Sequence, residues 1–434
     1  MLLGCIADDF TGATDLANNL VRNGMRTIQT IGLPKPGLQL NADAVVIALK
    51  SRTIAPDDAI AQSLAALQWL RNAGCERIYF KYCSTFDSTD RGNIGPVTQA
   101  LMQALDTDFT IACPAFPAAG RTIFRGHLFV NDQLLSDSSM RDHPLTPMTD
   151  PNLVSVLQRQ VQVRVGLLRY DTLAQGVEAT RARITQLRSE GVSIAVADSL
   201  HDADLHTLAE ACADLPLVTA GSGVAIGLPA AWRSTGRLAP TADAASLPNV
   251  TGPGIVISGS CSAATLAQVQ TYEQQHPAYR IDPIRLARGE DVVGEALALA
   301  GQAQTRGEVA IIYASASPDD VRRVQAELGR EAAGDLVERA LAACAAALRD
   351  RGTRRFVIAG GETSGAVVQA LGIQALRIGP QIDPGVPWTE SVAQTNGDDE
   401  GAAERLAITL KSGNFGAQDF FAKALAMLDG RQAA

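Results

Sequence analysis

Two adjacent carboxylates, Asp8 and Asp9, follow a short apolar run near the start of the chain and precede a Thr-Gly turn that opens a predicted helix. Adjacent residues of an extended chain point in opposite directions, so we expect only one of the two to reach a ligand. That carboxylate could orient a substrate hydroxyl or accept its proton. The alternative is a helix cap beside a solvated charge. Asp87 is a third candidate base.

A second polar segment, residues 81–95, follows the strand-like run at 78–80 and carries Lys81, Arg91 and four Ser or Thr hydroxyls. An arginine can form two hydrogen bonds with a carboxylate, and hydroxyls pair with sugar-like oxygens. The segment is therefore typical of a site for an anionic, hydroxylated ligand. The alternative is a turn that satisfies its own backbone. Arg52 also follows a predicted strand and is a further candidate cation.

A glycine-rich turn at residues 356–368 joins a predicted strand to a predicted helix. Glycines let a phosphate approach backbone N–H groups, and the start of a helix favours negative charge. Two small-residue loops, 258–262 and 411–416, follow other predicted strands of the same half and could line the same nucleotide site. The chain has no Walker A sequence and no GxGxxG motif, which disfavours P-loop and dinucleotide-binding enzymes.

Short β-rich runs alternate with amphipathic stretches along most of the chain, which predicts an α/β fold of doubly wound, mostly parallel sheets. Between residues 230 and 254 the alternation breaks in a stretch rich in proline and small residues. We predict two α/β domains, residues 1–232 and 254–434, joined by a linker at 233–253 and separated by a cleft. The predicted strands are 45–49, 78–80, 110–113, 163–168, 193–197, 217–220, 255–257, 310–313, 356–358, 376–378 and 406–410. The predicted helices are 60–70, 172–188, 203–212, a helix from about 262, 335–348 and 418–428.

The composition of the chain excludes several classes of protein. Of its 434 residues 46% are hydrophobic, which supplies a large core, and the net charge of -9 disfavours nucleic acid and anionic membranes as partners. No apolar run approaches the roughly 20 residues of a membrane span. Seven scattered cysteines without a CxxC pair, and no basic signal segment, indicate a cytoplasmic protein with reduced thiols. Five dispersed histidines predict no metal site. The oligomeric state stays open, a homodimer included.

Four segments in this order resemble the four-carbon acid sugar kinase family: IADDFTGA at 6–13, DSTDRGN at 87–93, PAFPAAGR at 114–121 and GGETSG at 360–365. The form of residues 81–89, with 129–130 and 143–150, is similar to the branch that acts on 3-oxo-tetronates. The resemblance implies an N-terminal domain that binds the acid sugar and a C-terminal domain that binds ATP. It implies phosphorylation of the C4 hydroxyl of 3-dehydro-L-erythronate or its D isomer. Mg²⁺ would bridge the ATP phosphates through few protein ligands.

The resemblance and the residue chemistry together define the candidate site. Asp8 or Asp9 would orient or deprotonate the attacking hydroxyl, and Arg91 would pair with the substrate carboxylate. The candidate substrate-binding residues are Asp8, Arg52, Lys81, Ser84, Asp87, Ser88, Arg91 and Gly92. The implied ATP-binding residues are Ser258, Gly259, Ser260, Gly360, Gly361, Glu362, Thr363, Lys411, Ser412 and Gly413.

Two other functions stay open at this stage. A kinase for D-threonate or D-erythronate would share the motifs, and substrate profiling would separate it. A non-catalytic sugar-acid sensor belongs to a different class and would need no nucleotide. A nicotinamide-dependent dehydrogenase is disfavoured because the GxGxxG motif is missing.

Overall fold

The computed structural model describes residues 1–34, 40–143, 145–241, 244–392 and 405–430. It divides into two compact units, Met1–Ala244 and Ala245–Ala434, which we call the first and the second unit. Residues 242 and 243 of the predicted linker and Pro144 of the segment 143–150 lie outside the described residues. The predicted cleft stays a prediction.

The described part of the first unit contains a parallel sheet of eight strands and a separate antiparallel sheet of three strands. The strands are β1 Leu3–Ala7, β2 Thr27–Ile31, β3 Ala44–Ala48, β4 Arg77–Lys81, β5 Thr110–Cys113, β6 Arg121–Phe124, β7 His127–Val130, β8 Gln133–Leu134, β9 Val165–Leu168, β10 Ile194–Ala197 and β11 Leu217–Ala220. The large sheet has the order β2-β3-β1-β4-β11-β5-β10-β9, and β6, β7 and β8 form the small one. The helices are α1 Phe10–Arg22, α2 Pro56–Asn72, α3 Ile94–Ala104, α4 Leu153–Gln160, α5 Tyr170–Leu173, α6 Val177–Ser189, α7 Asp202–Cys212 and α8 Leu228–Ser234.

The central strands of the first unit place three polar loops side by side at the carboxyl ends of the strands. Every residue of β1 and β3 is buried, as expected for parallel strands that are covered on both faces. In the strand register Ala7 pairs with Ala48 on one side and with Lys81 on the other. Because these three strands end at the same level, the loops that follow them begin side by side.

The described part of the second unit has seven paired strands. Five of them are parallel, and the other two form an antiparallel hairpin next to the last of the five. The strands are β12 Gly254–Ser258, β13 Ala278–Arg280, β14 Ile311–Tyr313, β15 Arg355–Ala359, β16 Ala375–Asp383, β17 Val386–Ser391 and β18 Ala407–Lys411. Their order is β13-β14-β12-β15-β18-β17-β16, and β17 is antiparallel to both of its neighbours. The helices are α9 Ala263–Glu273, α10 Pro283–Ala287, α11 Val292–Thr305, α12 Pro318–Leu328, α13 Arg330–Asp350, α14 Gly361–Ala370 and α15 Phe420–Leu428.

The second unit has its own core, which packs the sheet against α9 and α15. Trp388 and Phe420 are fully buried there, and the indole N–H of Trp388 donates to the carbonyl oxygen of Ala424 at 2.9 Å. A buried indole N–H needs such an acceptor, so this hydrogen bond fixes α15 against β17.

The doubly wound, mostly parallel α/β fold is confirmed, with local differences. The helix predicted at 172–188 is two helices, because Gly176 has a φ of 97° and interrupts the chain between α5 and α6. Helix α8 continues to Ser234, two residues into the stretch predicted as linker. The small antiparallel sheet of β6 to β8 was not predicted. Among the described residues no helix is long and apolar enough to cross a bilayer.

Candidate functional site

Arg52 is the centre of a buried ion network in the first unit. Its Nε and Nη2 donate to the two carboxylate oxygens of Asp8, both at 2.9 Å. The same Nη2 donates to Oδ1 of Asp9 at 2.7 Å, and Nη1 lies 3.8 Å from Oδ2 of Asp87. The guanidinium therefore links the carboxylates of two loops, those after β1 and β4.

Asp9 also begins helix α1. Its side chain accepts from the backbone N–H of Gly12 at 3.2 Å and from the hydroxyl of Thr11 at 2.9 Å, which caps the helix. The ammonium of Lys81, which is only 4% exposed, lies 3.8 Å from Oδ1 of Asp9. The cap and the two cations hold this carboxylate in its ionised form.

The two adjacent carboxylates do not point apart, contrary to the expectation from an extended chain. Both contact the same nitrogen of Arg52, because β1 ends at Ala7 and the chain turns into α1 directly after Asp9. The alternative interpretation of the pattern makes one of them a helix cap, and Asp9 fills that role. Asp8, at 6% exposed, is the more deeply buried of the pair.

The pKa values of these neighbours move in opposite directions. Burial raises the pKa of Asp8 above its ordinary value, although the charge of Arg52 acts against this. Burial also acts to raise the pKa of Asp9, but the charges of Arg52 and Lys81 outweigh it and lower the pKa to about 2. Asp8 is thus the better proton acceptor of the two, since a carboxylate with a pKa near 2 binds a proton weakly.

The remaining predicted residues of the first unit lie in the loop after β4. Ser88 is buried and accepts a hydrogen bond from Nε2 of Gln160 at 3.0 Å, and it lines a small hollow that is also lined by Asp8, Arg52 and Asp87. A Cβ at Gly92 would lie 2.0 Å from the hydroxyl of Ser88, so only glycine fits there. Ser84 is half-buried.

Arg91 lies at the surface, outside the ion network. Its side chain is exposed, and within the described ranges no ion pair involves its guanidinium. Arg52, in contrast, is already paired with Asp8 and Asp9. Unlike that of Arg52, the charge of Arg91 is not compensated by a carboxylate among the described residues.

The second unit contains a cavity of about 590 Å³ next to the glycine-rich turn. Its polar end is formed by Gly259, Ser260 and the run from Gly360 to Thr363, where α14 begins. Its other walls come from α10, α12, α13 and the segments just before α10 and α12, and they carry both apolar and charged side chains. The apolar ones are Ile281, Ala316, Val321, Val324, Ala333 and Val337, and the charged ones are Arg280, Asp282, Arg285, Asp320, Arg323, Arg330 and Glu338. A cavity with apolar patches, four arginines and an N–H-rich end suits a ligand with a flat ring and an anionic tail.

Two glycines bring the loops of this cavity into close contact. A Cβ at Gly259 would lie 2.2 Å from Oγ1 of Thr363. Gly360 has a φ of 122°, which favours glycine, and a Cβ there would lie 3.2 Å from the backbone nitrogen of Ser260. The loops after β12 and β15 can therefore meet only because both positions lack a side chain.

The other predicted residues of the second unit do not line this cavity. Ser258 is fully buried, and its hydroxyl lies 2.8 Å from that of Ser315. Lys411 is fully buried too, and its ammonium donates to Oγ1 of Thr265 at 2.9 Å and to the carbonyl oxygens of Ser412 and Gly413, both at 3.1 Å. Thr265 was not predicted, because only the fold brings α9 to the end of β18.

Lys411 carries a charge that no carboxylate among the described residues contacts. Burial alone lowers its pKa to about 8. A buried cation without a counter-ion is costly, and an anion bound nearby would relieve that cost.

The described residues hold no group of three His, Cys, Asp or Glu side chains that could bind a metal ion. Glu362, in the first turn of α14, is a carboxylate on the glycine-rich turn at the cavity wall. Mg²⁺ bound to nucleotide phosphates needs only one or two protein carboxylates, so this donor fits such an ion.

Two family models match the chain, one in each half. A family model described as a sugar-binding N-terminal domain matches residues 3–228, and one described as a nucleotide-binding C-terminal domain matches residues 255–421. The chain is 64% identical to a Cupriavidus necator protein named 3-oxo-tetronate kinase, over 99% of this chain and 98% of that protein. A Pectobacterium atrosepticum protein of the same name is 47% identical over 97% of this chain and 98% of that protein.

A solved structure shows the same fold over nearly the whole chain. The crystal structure of Haemophilus influenzae protein HI1011 matches with a TM-score of 0.82 and 42% identity, over 98% of this chain and 100% of that chain. The class is thus an α/β protein with a sugar-binding and a nucleotide-binding domain. The chain belongs to the four-carbon acid sugar kinase family.

Proposed function

We propose that this protein is an ATP-dependent kinase that phosphorylates the C4 hydroxyl of a 3-oxo-tetronate. The observation that carries the proposal is the 64% identity, over 99% of the chain, to a protein named 3-oxo-tetronate kinase. A cytoplasmic location is part of the proposal, since it would supply ATP and keep the seven free cysteines reduced.

The first unit would bind the acid sugar. Arg91 pairs with the substrate carboxylate, because its guanidinium has no carboxylate partner in the described ranges, whereas Arg52 is paired with Asp8 and Asp9. Lys81 and Arg52 offset two of the three negative charges of Asp8, Asp9 and Asp87, which reduces the repulsion of an anionic substrate. Hydroxyls of the loop after β4 would pair with those of the sugar. These are Ser84 and Ser88, with Asp87 as an acceptor and Gly92 giving space for Ser88.

Asp8 is the general base in this proposal. It accepts the proton of the C4 hydroxyl, the hydroxyl oxygen bonds to the γ-phosphorus, and the bond from that phosphorus to the bridging oxygen breaks, so that ADP leaves. The raised pKa of Asp8 suits this role better than the lowered pKa of Asp9. Asp9 contributes charge and holds α1 in place.

The second unit would bind ATP in its 590 Å³ cavity. The N–H groups at the start of α14, near Gly361, face the phosphates, and Ser260 lies on the neighbouring loop. Lys411 holds the loop of Ser412 and Gly413 and adds positive charge beneath it. Glu362 would hold Mg²⁺, which when bound to ATP neutralises phosphate charge.

An ADP-release assay tests the proposed function. The purified chain is offered ATP with 3-oxo-tetronates, D-threonate, D-erythronate and, as a control, four-carbon sugars without the carboxylate. We expect the highest kcat/KM with a 3-oxo-tetronate. A higher value with D-threonate or D-erythronate would reassign the substrate, and ligand binding without any ADP release would support the sensor instead.

A further inference from the structure

The loop that carries Arg52 has no regular secondary structure. This loop, residues 49–55, joins β3 to α2, and we call it the Arg52 loop. Its first half is tied to the end of β1, where the backbone N–H of Leu49 donates to Ala7 at 2.8 Å and that of Ser51 donates to Asp8 at 3.0 Å. The position of the guanidinium depends on what fixes the carbonyl groups of the same loop.

The side chain of Asn93 supplies those contacts. Its Nδ2 donates to the carbonyl oxygens of Ser51 at 2.8 Å, Arg52 at 3.2 Å and Ile54 at 2.9 Å. Asn93 is 7% exposed and ends the loop after β4, on which Asp87 and Arg91 also lie. One amide thus joins two of the loops that form the acid-sugar site.

The helix-capping role expected of this asparagine does not explain it. Asn93 is the residue before α3, a position where asparagine usually caps the helix, yet its side chain makes no such hydrogen bond. Its Oδ1 is buried and has no hydrogen-bond partner among the described residues. The amide is oriented toward the Arg52 loop at the cost of an unpaired acceptor and an unused cap.

We propose that Asn93 is a positioning residue that holds the Arg52 loop, and through it the guanidinium that organises Asp8 and Asp9. This inference rests on the proposed function only for its kinetic readout. Asn93 lines the same small hollow as Asp8 and Arg52, and the hydrogen bonds that its amide donates all go to carbonyl groups of the Arg52 loop. It acts on how the carboxylates of the site are held, so its loss should affect the acid sugar and not the nucleotide.

A double-mutant cycle separates positioning from a general structural role. Asn93→Asp keeps the size of the side chain but presents an oxygen to three carbonyl groups. Arg52→Lys keeps the charge but loses the two-pronged hydrogen bonding of the guanidinium. We expect Asn93→Asp to lower kcat/KM for the acid sugar about 10-fold or more, as loss of a supporting contact does. When Asn93→Asp is added to Arg52→Lys, it should lower kcat/KM for the acid sugar by less than about a further threefold, because the effects of coupled residues are not additive. The KM for ATP should stay within about twofold in each variant.

The inference would be overturned if the double variant lost kcat/KM by the product of the two single losses, or if the KM values for the acid sugar and for ATP rose equally. Asn23→Ala is the matched control, since it removes an amide hydrogen bond of 2.8 Å to the carbonyl oxygen of Asn19 at the far end of α1. It should leave both KM values unchanged.

A crystal structure of Asn93→Ala gives a readout that does not depend on turnover. We expect the guanidinium of Arg52 to leave the carboxylates of Asp8 and Asp9. A guanidinium that remains on both carboxylates would contradict the inference even in an active enzyme. If wild type turns over no acid sugar, the proposed function fails, and the crystal structure still decides the role of Asn93.

Discussion

Asp8 and Asp9 share one cation but have different surroundings. Asp8 is held by Arg52 alone among the described side chains, whereas Asp9 also caps α1 and faces Lys81. Two aspartates that are adjacent in the sequence thus differ in pKa, because hydrogen-bond donors and cations around a carboxylate make it bind a proton less readily.

Replacing each of the two aspartates by asparagine tests this difference. Asp8→Asn should lower kcat by roughly 10²–10⁴-fold, the usual contribution of a general base. Asp9→Asn should cost less than about tenfold in kcat, since asparagine caps a helix as well as aspartate does. Steady-state kinetics measures both. Near wild-type kcat in both variants would leave neither residue as the base.

The pH profile of the wild type gives a second measure of Asp8. Because burial raises its pKa, Asp8 should become protonated, and kcat/KM should fall, at a higher pH than an ordinary aspartate would give. The profile of Asp9→Asn should keep this limb. An acid limb that disappears with Asp9 instead of Asp8 would reverse the assignment.

Arg91→Ala tests the carboxylate partner. The KM for the acid sugar should rise by at least about tenfold, as expected when a charge-assisted hydrogen bond is lost, while the KM for ATP stays nearly constant. Both values come from the same coupled ADP assay. An equal rise of both would argue against a contact between Arg91 and the substrate.

At the scale of elements, the glycine turn before α14 shapes the cavity that we propose as the nucleotide site. Gly360 has a φ of 122°, and an added Cβ would lie 3.0 Å from Oγ1 of Thr363. Gly360→Ala should therefore cost about 1–3 kcal/mol of stability and weaken ADP binding. Gly361→Ala is the matched control for stability, because nothing lies within 4 Å of a Cβ there. Thermal unfolding and calorimetry measure the two effects, and equal melting temperatures would contradict the strain.

Lys411 at the end of β18 predicts a pH dependence of stability. Its pKa of about 8 lies below the ordinary 10.5, so between these pH values the unfolded chain binds the extra proton. Stability relative to Lys411→Met should therefore rise with pH across that window, by on the order of 3 kcal/mol. Denaturant midpoints at several pH values between 7 and 10 measure it. A constant difference would mean that Lys411 is not desolvated.

The elements show how far sequence reasoning reaches. Strands such as β1 and β3 could be predicted because each is a short, wholly buried apolar run. The small sheet of β6 to β8 could not, since its strands are short and mix buried with exposed residues. The residue types of the site were predictable from strand ends, but the contact of Asn93 with Ser51 spans 42 positions and has no local signal.

At the scale of the whole molecule, the chain divides into two compact units, Met1–Ala244 and Ala245–Ala434. We expect calorimetry to show two unfolding transitions. ADP should raise the melting temperature of one transition, and the acid sugar that of the other. Each ligand at 100 times its Kd should add about 2.7 kcal/mol to the free energy of unfolding of the unit that binds it. A single transition raised by both ligands would show that the units unfold together.

The pairing of Arg52 with Asp8 and Asp9 means that these side chains of the proposed acid-sugar site are ordered without a ligand. A ligand that arrives later does not have to immobilise these side chains, so its affinity is not reduced by that entropy loss. Destabilising substitutions elsewhere in the first unit should then reduce the fraction of active molecules before they change the KM of the molecules that are still folded. Titration of active sites in weakened variants would reveal that order of events.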